Sequence, residues 1–304
     1  MNRHTAEIVL VTTGDLEKKM TLRRLYLHIF GFALMCWVTP AVAQQENFTN
    51  SIGMKFTLIK PGSMVVGRFQ PPYPVPADTV KGEKRSMVMW MGDGRPYNEE
   101  EFRLAKEMAL RDASPGFEVV ISRAYYIGTF EVTQAEWKKV MGSNGSVFQG
   151  DKVEAEEQHP VENVTWEEVQ EFLQRLNQSE KGKKYRLPSE FEWEYAARAG
   201  AKGDIRWEET RLVAQFGTMT TQPVGQKKPN AWGIYDMLGN VWEWVDDFYN
   251  EEIFADPQPP SSGTTHVLKG ASFAGDVKNA TWMTHAAGPG NGWDVGFRVL
   301  KAAE

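Results

Sequence analysis

The sequence predicts an α+β fold in one domain, with short strands, few helices and long ordered loops. Three observations carry that prediction. Two well-capped helical segments stand among many short apolar runs separated by Gly and Pro. Tryptophan occurs 11 times and glycine 27 times in 304 residues, which suits a core built on aromatics and tight turns rather than on aliphatic helix stripes. No Gly/Ser linker and no internal repeat divides the chain.

The N-terminal region stands apart. Arg23 and Arg24 precede an apolar run, Leu25 to Val38, which is followed by Thr39-Pro40 and Ala41-Val42-Ala43. A basic start, an apolar centre of about a dozen residues and an A-x-A end form a secretory signal. The run is shorter than the roughly 20 residues that span a bilayer. The expectation is an N-terminal extension and signal over 1–43, its signal portion at about 20–43, removed on export. That gives a secreted or periplasmic protein with no stable membrane span after cleavage. The lone cysteine, Cys36, lies inside this signal. Residues 44–304 therefore hold no cysteine, which excludes a disulfide framework, a thiolate nucleophile and a Cys-ligated metal.

Residues 44–50 read as a short leader and 51–302 as the domain. IGMKFTLIKPGSMVVG (52–67) reads as a hairpin turning at Pro61-Gly62. Phe102, Leu104, Ala105, Met108 and Leu110 recur with charges between them, predicting an inserted amphipathic helix at about 98–112. A strand is expected over roughly 118–132. Thr165-Trp166-Glu167-Glu168 and Ser189-Glu190-Phe191-Glu192 are capping boxes that open two helices, the second ending at Gly200. Segments 266–273 and 295–300 read as closing strands. The formal charge of −6, with no Lys/Arg stripe, argues against a nucleic-acid partner.

Seven phrases then line up in order: IGMKFTLIKPGSMVVG, YYIGTFEVTQAEW, HPVENVTWEEVQEF, YRLPSEFEWEYAARAG, PNAWGIYDMLGNVWEW, LKGASF and GFRVL. Together they resemble the formylglycine-generating-enzyme/sulfatase-modifying-factor family, over about residues 50–302. The resemblance implies a single C-type-lectin-like α+β domain with low regular secondary structure. Members of that family include copper oxidases that convert a peptide cysteine to formylglycine, iron sulfoxide synthases, siderophore-maturation proteins and non-catalytic assembly domains.

In the copper oxidases two cysteines follow the GASF-like phrase and bind copper(I) as soft thiolates. The matching positions here are Gly275 and Ala280, so copper is not expected. The iron branch relies on a histidine-rich motif, and residues 44–304 offer only His159, His266 and His285, far apart in sequence. The resemblance also implies a structural calcium site: Asp236 and Glu243 through side chains, Gly239 and Val241 through carbonyls. A tight turn between two carboxylates suits a cation that takes six to eight hard oxygens. Trp242, Ser272, Asp276, Asn279 and His285 are the candidates to line a remnant cleft. The expected function is an exported binding or assembly module, stabilised by calcium, for a protein or peptide partner of the envelope or surface. The alternatives are a diverged oxidoreductase with a cysteine-free cleft and a sulfatase-activating oxidase.

Overall fold

A computed structural model describes residues 47–66, 100, 103 and 116–303, apart from 183, 204, 206, 255–257, 276–280 and 289. Of the helix expected over 98–112, Glu100 and Arg103 are described and are helical; the rest of that expectation, like the signal at 1–43, lies outside the described residues.

Two principal sheets organise the chain. The first has five strands in the order β1–β2–β5–β11–β6: Asn47–Thr49, Lys55–Ile59, Tyr125–Gly128, Leu300–Ala302 and Tyr185–Arg186. The second has four, in the order β10–β7–β8–β9: Val295–Phe297, Trp242–Phe248, His266–Lys269 and His285–Ala287. A separate two-stranded ribbon pairs β3 (Gly62–Val66) with β4 (Phe117–Ile121).

This topology revises three expected elements. Residues 52–67 do not form a hairpin: β2 pairs with β1 and β5, whereas β3 pairs with β4. The Pro61-Gly62 break passes the chain from one sheet to another. The strand expected over 118–132 is two, β4 and β5, in different sheets. The segment 295–300 is likewise two strands, β10 and β11, with Arg298 and Val299 at the crossing. The amides of Val132 and Gly128 hold that crossing by donating to Phe297 O (2.9 Å) and Val299 O (2.7 Å).

Both predicted capping boxes form. Thr165 caps α2 (Trp166–Ser179) and Ser189 caps α3 (Glu190–Arg198), each with reciprocal bonds to the glutamate three residues on. A third box, Thr133 with Glu136, opens α1 (Gln134–Met141). A further helix, α4 (Trp207–Val213), follows. α2 buries Val169, Phe172, Leu173 and Leu176 on one face, the spacing of an amphipathic helix. Phe172 stacks on Trp137 of α1 at 5.3 Å between ring centroids, and both pack on Phe297. Trp193 and Trp244 are fully buried, and the Trp244 indole donates to Val164 O at 2.9 Å. Trp193 and Trp244 thus belong to the core with their N–H groups satisfied, whereas the buried Trp282 indole N–H finds no partner.

Candidate functional site

Of the expected cleft residues, Asp276 and Asn279 lie outside the described residues, as does Ala280. The structure divides the other three. Trp242 and Ser272 meet at one point, Asp294. The Trp242 amide donates to Asp294 O at 2.8 Å, and the Ser272 hydroxyl donates to Asp294 Oδ2 at 2.7 Å. Ser272 is buried beneath this contact, while Trp242 and Asp294 are half-buried. The Gly275 amide donates to Ser272 O at 2.9 Å, so this position is part of a turn closing on the buried serine.

Glu162 lies near enough to Asp294 to feel its charge. The neighbouring Asn163 amide donates to Gly292 O at 2.9 Å, which lays the 161–163 segment along 292–296. Glu162 is fully buried. Its Oε1 accepts the Phe148 amide at 2.8 Å. Burial pushes this carboxyl up to about 7, against the opposing pull of the Phe148 and Val147 amides and of Lys152, and the charge of Asp294 adds to the rise. An aromatic cluster packs beside Ser272 and Asp294. Phe273 meets Phe148 at 5.5 Å and Trp293 at 5.3 Å, with edge-on geometry, and Trp293 is 43% exposed. Sequence reasoning did not single out Asp294 or Glu162, although Asp294 stands two residues before GFRVL and Glu162 lies inside HPVENVTWEEVQEF.

His285 belongs to a different neighbourhood. Its Nδ1 lies 3.1 Å from Glu190 Oε1, off the line of a hydrogen bond, and its ring packs on Tyr249 and Phe254. Glu190 and Glu194 on α3 flank the wholly buried Lys269 of β8, with Nζ–O distances of 3.6 and 3.3 Å. Glu194 also pairs with Arg198 at 2.6 Å. Asp247 Oδ2 accepts the Glu190 amide at 2.5 Å, and burial pushes the Asp247 carboxyl up to about 7, with Glu190 adding to the shift. These groups tie α3 to the second sheet. No contact joins His285 to Ser272 among the described residues.

The expected calcium ligands lie on the turn 236–240, in which Asp236, Gly239 and Asn240 take positive φ. A β-carbon on Gly239 would lie 2.1 Å from Gln215 O, so this turn admits only glycine there. Asp236 Oδ2 accepts the Gly225 amide at 2.6 Å. Glu243 is held by Arg298 in a two-pronged pair, Nε to Oε2 at 2.6 Å and Nη2 to Oε1 at 2.5 Å, and by the Trp193 indole at 2.7 Å. Arg298, itself fully buried, also donates to the carbonyls of Gly128, Tyr235 and Asp236.

Glu131, which the sequence reading did not single out, accepts the Val241 amide and the Asn240 side chain. Burial raises its carboxyl well above the ordinary range, and Asp236 and Glu243 raise it further. Burial likewise pushes Asp236 up to about 6. Three carboxylates thus converge on one guanidinium. The donor set has the hard-oxygen chemistry a calcium ion takes. With Glu243 engaged by Arg298 and Trp193, a bound ion requires those contacts to rearrange.

The comparisons with known proteins agree with this architecture. The sequence is 30% identical over 238 residues to the chaperone protein LppX of Paenibacillus barcinonensis, covering 59% of this chain and 80% of that one. It is 29% identical over 204 residues to the formylglycine-generating enzyme of Streptomyces coelicolor, covering 59% of this chain and 61% of that one. Among solved structures, Treponema denticola variable protein 1 superposes with a TM-score of 0.64 at 25% identity, over 84% of this chain and 99% of that one. PvdO from Pseudomonas aeruginosa superposes with a TM-score of 0.63 at 22% identity, over 86% and 99%. The fold is a single C-type-lectin-like α+β domain with low regular secondary structure. The profile of the sulfatase-modifying factor enzyme 1-like domain matches residues 73–303, and the chain belongs to that family.

Proposed function

We propose that this chain is an exported sulfatase-modifying-factor-like domain that binds a protein or peptide partner and does not generate formylglycine. One observation carries the reading: the positions that match the oxidases' thiol pair are Gly275 and Ala280, and residues 44–304 contain no cysteine to replace them. Function on a shared fold resides in the site, and here the matching region holds a buried serine bonded to Asp294, with the Phe148, Phe273 and Trp293 rings packed beside it. None of these groups is the soft thiolate that selects copper(I). The similarity to a protein named as a chaperone supports a macromolecular partner, and the Arg23–Ala43 segment supports export to the periplasm or beyond.

Incubating residues 44–304 with copper, oxygen and a cysteine-containing sulfatase-motif peptide tests the claim. Mass spectrometry should show the peptide unchanged while a thiol-bearing relative converts it. Aldehyde formation by this chain overturns the reading.

Calcium enters the proposal as a stabiliser. Asp236 and Glu243 would hold it through carboxylates, and Gly239 and Val241 through carbonyls. It would neutralise part of the negative charge that three buried carboxylates leave around a single guanidinium. Calcium added to chelator-treated protein should then raise the thermal midpoint, and Asp236→Ala should abolish the increase. An unchanged midpoint at saturating calcium removes the ion from the proposal and leaves Arg298 as the clamp.

A further inference from the structure

We infer that Asn291 is a site of covalent self-modification, where the side-chain amide is lost as ammonia and the residue becomes aspartate or isoaspartate. The reaction needs no partner, metal or second enzyme, so it is independent of the binding reading above.

An asparagine followed by glycine is disposed to this reaction, because glycine puts no β-carbon in the way of its own amide nitrogen. That nitrogen, having given its proton to hydroxide, attacks the asparagine Cγ. A new C–N bond forms, the bond to the side-chain nitrogen breaks, and ammonia leaves. Water then opens the succinimide at one carbonyl or the other, giving aspartate or isoaspartate without any oxidant or reductant. The chain holds two such pairs, Asn144-Gly145 and Asn291-Gly292, and the structure separates them. Asn144 is half-buried. Its Nδ2 donates to Gln134 Oε1 at 2.8 Å and to Gln149 Oε1 at 3.2 Å, and its Oδ1 accepts the Ser146 amide at 3.1 Å. Turning its Cγ onto the Gly145 nitrogen disrupts that set. Asn291 is exposed, and among the described residues its side chain is held by one hydrogen bond, Nδ2 to Asn163 Oδ1 at 2.9 Å. The Gly292 amide donates no hydrogen bond among the described residues, so its nitrogen is free to attack. Packing also keeps glycine at that position. A β-carbon on Gly292 would lie 3.0 Å from Val295 Cγ2 and 3.2 Å from Asp294 Oδ1, so the susceptible pair is built into the turn.

The product disturbs the same turn. Asn163 gives its Nδ2 to Gly145 O at 3.1 Å, which leaves its Oδ1 facing residue 291. A carboxylate there sets oxygen against oxygen, and the bond is lost. The amides of Asn163 and Val295 both donate to Gly292 O at 2.9 Å. Isoaspartate adds a methylene to the main chain just before that carbonyl and displaces it. Modification thus loosens the turn that carries Trp293 and Asp294 from the 161–163 segment, and it adds a negative charge beside it.

The test incubates residues 44–304 at mildly alkaline pH, folded or in urea, and follows both pairs by peptide mass spectrometry, with isoaspartate read by enzymatic methylation. In the folded protein the peptide with Asn291 should convert several-fold faster than the peptide with Asn144. In urea, where neither side chain is held, that gap should close. Asn291→Gln should stop conversion at 291, because the longer side chain must close a larger ring, and should leave Asn144 unchanged. Equal or faster conversion of Asn144 in the folded protein, or none at Asn291, overturns the assignment; a gap that persists in urea overturns its structural cause. Asn291→Asp tests the consequence by hydrogen exchange in NMR. The amides of Asn163 and Val295 should lose protection relative to wild type, and unchanged protection overturns the loosening of the turn.

Discussion

Replacing Arg298 with methionine is the sharpest test of how this domain is held together. The guanidinium makes five hydrogen bonds in a fully buried setting: two to Glu243 at 2.5 and 2.6 Å, and three to the carbonyls of Gly128 (3.2 Å), Tyr235 (3.1 Å) and Asp236 (3.4 Å). Methionine fills similar volume but leaves Glu243 with only the Trp193 indole, and leaves Glu131, Asp236 and Glu243 facing one another. Removing one partner of a buried ion pair costs about 3–5 kcal/mol. The three orphaned carbonyls add to that, so a loss of about 4 kcal/mol or more is expected. For a domain of this size this lowers the thermal midpoint by about 10 °C. Urea unfolding of wild type, R298M, E243L and the double variant closes a double-mutant cycle. The double variant should recover part of the loss, because it removes an uncompensated buried charge. The R298M deficit should also shrink as pH falls toward 5, where the stranded carboxylates take up protons. A deficit below about 1 kcal/mol, or a double variant no better than R298M, would refute the claim that this arginine is the clamp.

Two further outcomes follow from the same geometry. Glu162, Asp247 and Asp236, with folded values of about 7, 7 and 6, all titrate above their ordinary range. The folded state therefore binds more protons than the unfolded chain between pH 4 and 7. Stability contributed by these groups is full at the acid end and falls as pH rises through 7; urea midpoints should drop from pH 5.5 to pH 8, and Glu162→Gln should flatten part of that slope. Gly239→Ala should unfold the domain or cost more than about 3 kcal/mol, because the new methyl would lie 2.1 Å from Gln215 O at φ +88°; a cooperative, near-native urea transition would contradict this.

What was legible in the sequence was local. The capping boxes at Thr165 and Ser189 were readable because three consecutive spacings decide them, and the same rule would have found Thr133 and Glu136 inside EVTQAEW. Strand pairing was not readable from those signals. Pro61-Gly62 looks the same whether the flanking strands pair with each other or join different sheets, and here they join different sheets. The run VGFRVL looks like one strand, yet Arg298 leaves the ladder at its centre to reach Glu243, 55 residues back. The site was half legible for the same reason. Trp242 and Ser272 lie in strong phrases, but what joins them is Asp294, 22 residues beyond the serine. His285 was grouped with Ser272 because both lie near one loop in sequence. In space its carboxylate neighbour is Glu190, at the start of α3.

That separation shows how the fold can stand with Gly275 and Ala280 where the copper oxidases carry cysteines. The second sheet is pinned from both sides by buried charge: by Glu190, Glu194, Arg198 and Lys269 where α3 packs on it, and by Arg298 with Glu243 where β10 meets β7. Neither network includes Gly275. The turn that carries Gly275 is closed by its own amide on Ser272 O and by the Ser272–Asp294 bond, which need no thiol. A β-carbon at Gly275 would sit 3.2 Å from Ser272 O and 3.5 Å from the Phe216 ring, a tight but not forbidden fit. Losing a cysteine at this position would relax the turn instead of breaking it. The residues at these positions can therefore change without disturbing the scaffold.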